Sequence, residues 1–382
     1  MKTVWGLLLV TVAAQAGQAG GARDLSRQAT QFYNQARYAE AEPLFRKALE
    51  AWTSLGDEAT LDYAIDLRNL GALLRARGRY TEAEPLLMDA ARKLEATAGA
   101  GMETGRALYN LSALYRAQGE MAKAESFALR AIDMVEKDPG ISPAERLSPR
   151  VVLASVYIEQ RRFAEAEAIL DPAMDTADGP LAVVIFDDRA TIAISRGEYE
   201  RAESFARQAL RFAKLALPAD HPAVAASWSN LAQSCRFQGH YLEAEDAYRQ
   251  AIAIWEKGLG GSHPDVAKGL INLAGFYHER GRESGAETLF TRAAAILEQA
   301  FGKDDPRTLT ARNELAEVLR AEHRYSESAK IERTTLPALK AALPADDPRL
   351  VRAETNYQRL VQESANSNPC RRKASCQAQS PQ

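Results

Sequence analysis

The sequence has few histidines and cysteines, almost no excess of charge of one sign, and no long apolar run beyond its first residues. Its 382 residues carry 48 Lys and Arg against 51 Asp and Glu, for a net charge of −3. Because the charges are so evenly balanced, the protein has no broad electrostatic field that would attract nucleic acid or an anionic membrane. No stretch after the first residues is apolar over the roughly 20 residues that a transmembrane helix needs.

The sequence also lacks the motifs of common catalytic and metal centres. His278-Glu279 begins a zinc-protease phrase, but Arg282 stands where the second histidine would be. The glycines of Gly258-Leu-Gly-Gly261 are not followed by the Gly-Lys-Ser/Thr of a phosphate loop, and no Gly-x-Ser-x-Gly elbow occurs. We therefore expect no catalytic residue, no metal ligand and no cofactor, and we expect a protein that is not an enzyme.

A short phrase is present eight times: a large residue, two further residues, a small residue, and usually Glu. The phrases begin at Tyr38, Tyr80, Met121, Phe163, Tyr199, Tyr241, Glu283 and Tyr325. These anchors are 42, 41, 42, 36, 42, 42 and 42 residues apart. A fixed period in this range is typical of stacked repeats, whose long surfaces commonly bind other molecules.

Fixed offsets from the anchors show what one repeat contains. Nine residues before the anchor the side chain is always small: Ala29, Gly71, Ser112, Ala154, Ala190, Ala232, Ala274 and Ala316. Small residues let two helices pack closely. A glycine suited to a left-handed helix end precedes five anchors, at Gly78, Gly119, Gly197, Gly239 and Gly281. Each unit therefore reads as helix, glycine turn, helix and loop.

This pattern resembles the tetratricopeptide repeat (TPR), in the 42-residue form found in kinesin light chains. Asn230-Leu-Ala, Asn272-Leu-Ala and Ala41-Glu-Pro-Leu-Phe-Arg-Lys-Ala-Leu49 carry the likeness, which covers residues 22–363. The resemblance implies an all-α, right-handed superhelical solenoid of eight helix-turn-helix repeats, closed by a polar C-terminal capping helix at 347–363. The interval from Phe163 to Tyr199 is six residues short, which predicts a truncated second helix in repeat four.

The two ends of the sequence differ from the repeats. Residues 1–19 read as a signal peptide, with Lys2, a short apolar segment and the small-x-small triplet Ala14-Gln15-Ala16. We therefore expect an exported protein, in a bacterial periplasm or secreted, with no transmembrane segment after cleavage. The polar tail at 366–382 has little to bury and is predicted to be disordered. Its Cys370 and Cys376 could form a disulfide in an oxidising compartment or remain free, whereas Cys235 is expected to be a buried core thiol.

Two rows of residues on the first helices are the candidate binding site. Eleven residues before the anchor lie Asn69, Asn110, Asn230 and Asn272. In TPR proteins that bind extended peptides, asparagine at this position faces the concave groove and hydrogen-bonds the ligand backbone. Arginines Arg75, Arg116 and Arg236 lie five residues before their anchors, and Arg68 and Arg106 are added on the same inner face. Because arginine favours carboxylates, an acidic segment or a free C-terminus fits the groove.

The leading interpretation is therefore a non-catalytic exported scaffold that binds a protein or peptide partner in its concave groove. One alternative is a structural subunit that builds an envelope assembly or oligomer through the outer face. A second alternative is an enzyme or small-ligand carrier with a site that the sequence does not reveal. The asparagines could also serve only local packing, and the arginines could be solvated surface residues.

Overall fold

The computed structural model describes residues 19–56, 60–97 and 101–367, and in these ranges it contains seventeen helices and no strand. The described residues form two compact units, one that ends at Leu259 and one that begins at Gly260. The first unit contains α1 (19–34), α2 (Tyr38–Leu55), α3 (Leu61–Ala76), α4 (Tyr80–Glu95), α5 (Gly101–Gln118), α6 (Met121–Glu136), α7 (Pro143–Glu159), α8 (Phe163–Met174), α9 (Gly179–Arg196), α10 (Tyr199–Ala216), α11 (Pro222–Phe237) and α12 (Tyr241–Leu259). The second contains α13 (Pro264–Glu279), α14 (Glu283–Phe301), α15 (Pro306–Ala321), α16 (Tyr325–Ala342) and α17 (Pro348–Ser367).

The helices form eight pairs and a last single helix, so the predicted all-α repeat fold is confirmed. Seven of the eight anchors begin a helix that is 16–19 residues long. The small residues at the helix contacts are buried, as Ala41, Ala83, Ala124, Ala202 and Ala244 show with no exposed surface. Small side chains at these positions allow the two helices of a pair to approach closely. No helix in the described part of the chain combines the length and apolar character needed to cross a membrane.

The turn inside each pair has one backbone geometry in all eight repeats. The residue two positions before the anchor has a positive φ even where it is not glycine, as in Ala36 (56°), Arg161 (60°) and His323 (62°). Left-handed backbone there ends the first helix and lets the chain reverse. Where the sequence has Gly at this position the turn is unstrained, and the other repeats adopt it because the helix contacts on both sides fix it.

Neighbouring repeats are joined by an ion pair that recurs along the chain. The arginine directly before the anchor donates to the glutamate of the preceding repeat, from Arg79 to Glu42 at 2.8 Å and from Arg162 to Glu125 at 2.9 Å. The same arginine often stacks on an aromatic ring five residues earlier, as Arg162 does on Tyr157, 4.0 Å from its ring centroid. The second unit repeats the link between Arg324 and Glu287. We call this contact the Arg–Glu link.

Repeat four contains the shortest helix of the described chain. Helix α8 has 12 residues and includes Pro172, as the short anchor interval predicts. The charged residues of the following helix α9 are paired across helices: Arg189 with Glu167 at 2.5 Å, and Asp188 with the hydroxyl of Ser155 at 2.7 Å. The charges of α9 therefore hold α7, α8 and α9 together.

The last helix, α17, extends to Ser367 and packs on α15 and α16 through Leu350 and Ala353, which are both buried. Its Asn356 is also buried and donates to Asn313 of α15 at 3.1 Å. The proposed signal peptide lies outside the described residues except for residue 19. Cys370, Cys376 and the tail beyond Ser367 lie outside them as well.

Candidate peptide-binding groove

The first helices of repeats one to four together enclose a pocket of about 410 Å³, which we call the N-terminal pocket. Helices α1, α3, α5 and α7 supply most of its wall, so it lies on the side of the array where the sequence places the ligand. Its polar lining includes Asn34, Arg68, Asn69, Arg75, Arg106, Tyr109, Asn110 and Glu145. Five of the nine sequence-predicted groove residues therefore meet in one cavity.

Arg75 is the unpaired cation of this pocket. Its Nε atom is buried and has no hydrogen-bond partner, and no carboxylate of the described residues forms an ion pair with its guanidinium. A buried N–H group without an acceptor has lost hydration that nothing replaces, which commonly costs about 1–3 kcal/mol. An anion that enters the pocket would relieve that cost.

The other two arginines of the pocket share one carboxylate. Arg68 is buried and forms an ion pair with Glu103, while its second nitrogen donates to the Asn69 side chain at 2.8 Å. Arg106 donates to the other carboxylate oxygen of Glu103 at 2.8 Å. One glutamate thus joins an arginine of α3 to an arginine of α5. Both arginines therefore stabilise the pocket wall, and neither is the site at which we expect a ligand to bind.

The two asparagines of the pocket each use only part of their hydrogen-bonding capacity. Asn69 accepts from Arg68 through its oxygen, so its amide nitrogen is left to donate. Asn110 donates to the backbone carbonyl of Arg106 at 2.8 Å, so its oxygen is left to accept. A peptide backbone offers one acceptor and one donor per residue. The pair can therefore receive a carbonyl at Asn69 and an N–H group at Asn110.

Two tyrosines of the pocket, Tyr33 and Tyr109, were missed by the sequence interpretation. Neither hydroxyl has a hydrogen-bond partner among the described residues. Burial raises the pKa of Tyr109, an effect partly offset by Arg68 and Arg106, so its hydroxyl stays protonated and can donate. The signal that could have found Tyr109 is its position, one residue before Asn110 on the inner face of α5.

The remaining predicted groove residues lie outside the N-terminal pocket. Arg116 makes a long contact of 3.4 Å with Glu159, and its Nε is buried without a partner. Asn230 donates to the backbone and side-chain oxygens of Asp187, at 3.2 Å each. Arg236 lies against the ring of Phe237 at 5.1 Å. Asn272 belongs to the second unit, where it is half-buried.

The charges around the pocket leave one positive charge uncompensated. Arg68, Arg75 and Arg106 are opposed by Glu103 and by Glu145, whose pKa is lowered by hydrogen bonds from Ser142. The lining also includes apolar side chains from Ala72, Met102 and Val135. Such a cavity can bind one carboxylate together with a short stretch of peptide backbone. The residues that line this cavity include no nucleophile with a neighbouring base and no cluster of metal ligands.

Stacked helical pairs with a pocket on their inner helices define a helical-repeat protein of the kind that serves as an interaction scaffold. The tetratricopeptide repeat profile matches residues 25–96, 67–137, 182–257 and 265–341, and a second tetratricopeptide repeat profile matches residues 230–296. Because these matches cover more than half of the sequence, the chain belongs to the tetratricopeptide repeat family. No curated protein matches the chain.

Solved structures of other proteins are similar to this chain. The Rap protein complexed with competence and sporulation factor is similar with a TM-score of 0.59 and 16% identity, over 91% of this chain and 98% of that chain. A putative kinesin light chain of Podosopora anserina with nearly identical TPR-like repeats has 19% identity and a TM-score of 0.35, over 64% of this chain and 99% of its own. BtubC (BKLC) from P. vanneervenii has 18% identity and a TM-score of 0.38, over 70% of this chain and 92% of that chain.

Proposed function

We propose that this chain is an exported, non-catalytic scaffold that binds a carboxylate-bearing segment of a partner protein in the N-terminal pocket. The observation that carries the proposal is Arg75, a half-buried guanidinium without a carboxylate partner among the described residues. Tetratricopeptide repeats serve as protein–protein interaction scaffolds, and a cationic pocket between their inner helices selects an acidic ligand.

The ligand would use the pocket in two ways. A carboxylate, from an Asp or Glu side chain or from a free C-terminus, would accept hydrogen bonds from Arg75 and from the Tyr109 hydroxyl. The adjoining backbone would pair with the amide nitrogen of Asn69 and the amide oxygen of Asn110. Hydrogen bonds to charged groups contribute about 1.5–3 kcal/mol in favourable sites, so the carboxylate would supply most of the selectivity and the backbone contacts would fix the peptide direction.

Replacing Arg75 with methionine should weaken binding of acidic peptides about tenfold to a hundredfold, the equivalent of about 1.5–3 kcal/mol. The probe is a pool of fluorescein-labelled octapeptides with one fixed Asp or Glu or a free C-terminal carboxylate. The same peptides with Gln, Asn or an amidated end serve as neutral probes. Fluorescence polarisation measures affinity at several salt concentrations, and the salt dependence should flatten in the variant because a screened charge pair is lost.

Arg116→Met is the matched control. Arg116 lies on α5, the first helix of the following repeat, but outside the N-terminal pocket. It should leave the affinity for acidic peptides unchanged. If Arg75→Met binds the acidic pool as tightly as the unmodified protein, the pocket is not the ligand site. That result would favour the alternative that the protein is a structural subunit of an assembly.

The proposed export of the protein is based on residues 1–19, which read as a signal peptide. We expect the mature protein to lack residues 1–16 or 1–19, because a positive residue, an apolar segment and a small-x-small triplet occur in order. Intact-mass measurement of the protein from its native host gives the mature N-terminus. Recovery of a chain that still carries Met1 from the cytoplasmic fraction would contradict export.

A further inference from the structure

The junction before Tyr241 departs from the Arg–Glu link at two positions together. Five of the eight anchors are preceded by arginine, at Arg37, Arg79, Arg162, Arg282 and Arg324. The anchor Tyr241 is preceded by His240 instead. In some other repeats the position five residues before the arginine holds an aromatic ring that lies under it, such as Tyr157 and Phe32. Here it holds Cys235. The cation and its ring have been replaced by an imidazole and a thiol.

These two residues meet the glutamate that the missing arginine would have bound. A carboxylate oxygen of Glu203, the Cys235 sulfur and a ring nitrogen of His240 all lie within 4.8 Å of one another. Helix α10 supplies Glu203, helix α11 supplies Cys235, and the turn before α12 supplies His240. The thiol is buried, the imidazole is exposed, and the His240 ring has no hydrogen-bond partner among the described residues. The cluster therefore opens to solvent on the histidine side.

The surroundings fix the carboxylate and leave the cluster short of positive charge. Glu203 accepts from Arg207 at 2.8 Å and from Gln238 at 2.7 Å, one hydrogen bond on each oxygen. The same Arg207 also donates to Glu243 at 2.6 Å. Burial raises the pKa of the Cys235 thiol to about 12, with further contributions from Glu243 and Glu203. Two carboxylates thus surround a buried thiol with a single arginine between them.

We propose that Glu203, Cys235 and His240 form a binding site for one Zn²⁺ ion. Thiolate, imidazole and carboxylate are the three ligand types that zinc takes in proteins, and three protein ligands leave a fourth position for water. The mixed sulfur, nitrogen and oxygen set disfavours Ca²⁺ and Mg²⁺, which prefer oxygen ligands. The hydrogen bonds on Glu203 would orient it, as groups around metal-bound carboxylates commonly do.

Charge balance supports a divalent ion. With a thiolate at Cys235, the cluster of Glu203, Glu243 and Arg207 carries two negative charges in total, which one Zn²⁺ neutralises. Binding therefore replaces the thiol proton with the metal and releases one proton to solvent.

Cobalt(II) is the probe for this site, because a cobalt–thiolate bond gives a ligand-to-metal charge-transfer absorption that carboxylates and imidazoles do not. The protein is the full chain without a histidine tag, with Cys370 and Cys376 replaced by serine so that Cys235 is the remaining thiol. We expect the absorption to saturate at one cobalt per chain, to vanish on addition of Zn²⁺, and to be absent from Cys235→Ala.

His240→Arg is the sharper variant, because it restores the residue that five other repeats carry before the anchor. It should fold like the unmodified protein, pair with Glu203 and bind cobalt at least about tenfold more weakly. Circular dichroism checks the fold, so this variant decides the question even if Cys235→Ala fails to fold. Absence of a charge-transfer band with cobalt in excess, or an unchanged band in His240→Arg, would overturn the proposal. Peptide binding in the N-terminal pocket is a separate measurement and is not expected to change.

Discussion

Replacing Arg68 with methionine should destabilise the first repeats by about 3 kcal/mol, since removal of one partner of a buried ion pair leaves the other charge uncompensated. Arg68 joins α3 to Glu103 of α5 and is itself buried. Glu103 keeps Arg106 as a second partner. We therefore expect a loss of stability at the lower end of the range for broken buried ion pairs. Methionine preserves the apolar length of the side chain, so the loss reports on the charge and its hydrogen bonds.

Hydrogen exchange of the full chain locates this effect. Amides of α3 to α6 should exchange faster in Arg68→Met, whereas the distant helices should be little changed, because repeats contact mainly their neighbours. Arg75→Met is the matched control: it lies on the same helix in the same pocket but forms no ion pair in the described residues. Equal destabilisation by the two variants would contradict the division into a structural and a ligand-binding arginine.

The second large effect concerns Glu332, a buried carboxyl group in the second unit. Glu332 accepts from Asn313 at 2.5 Å through one oxygen, and its other oxygen has no partner among the described residues. Burial raises its pKa from 4.5 to about 7, and the nearby carboxylates Glu317 and Glu314 act in the same direction. Arg320 pairs with Glu317 and Arg352 with Glu314, so neither arginine neutralises Glu332.

This raised pKa fixes the sign of a pH dependence. Below about pH 4.5 the carboxyl group is protonated in both the folded and the unfolded chain, and its contribution to stability is complete. As the pH rises through about 7 the folded state has to ionise a buried group, and that stability is lost. The size of the shift corresponds to about 3 kcal/mol between the two limits.

Glu332→Gln should therefore raise the stability of the second unit at pH 8 and leave it nearly unchanged at pH 4. Glutamine keeps an oxygen for Asn313 and cannot ionise. Thermal unfolding followed by circular dichroism at a series of pH values, with hydrogen exchange of α15 to α17, measures the effect. Glu327→Gln on the exposed side of α16 is the control, and it should not raise stability at pH 8. Parallel pH profiles for the unmodified protein and Glu332→Gln would refute the assignment.

The sequence predicted the repeat fold because helix contacts need small residues at fixed intervals, and those intervals are visible without a structure. The same register explains why Arg68, Asn69, Arg75, Arg106 and Asn110 were predicted to lie together: all project from inner faces of α3 and α5. The turn geometry was predicted only where glycine marks it. Ala36, Arg161 and His323 adopt the same backbone, which the packing around them imposes and their own preferences do not indicate.

What the register could not show is which arginine is free. The distinction between Arg68 and Arg75 depends on Glu103, a residue of the next repeat that has no fixed relation to either anchor. Likewise, Asn230 shares the sequence position of Asn69, yet it bonds to Asp187, a charged substitution in the short repeat. The cluster of Glu203, Cys235 and His240 draws on three elements and matches no linear motif. In each case the deciding partner comes from a different helix.

The Arg–Glu link also affects how an array of this kind can change in length. A segment cut from one anchor to the next carries both members of one link, a glutamate near its start and an arginine at its end, as Glu42 and Arg79 show. Two such segments joined head to tail therefore each keep their own contact. Duplication or loss of a whole repeat creates no new kind of interface and leaves no charge stranded. The segment from Tyr199 to His240 follows the same rule, because Glu203, Cys235 and His240 all lie within it.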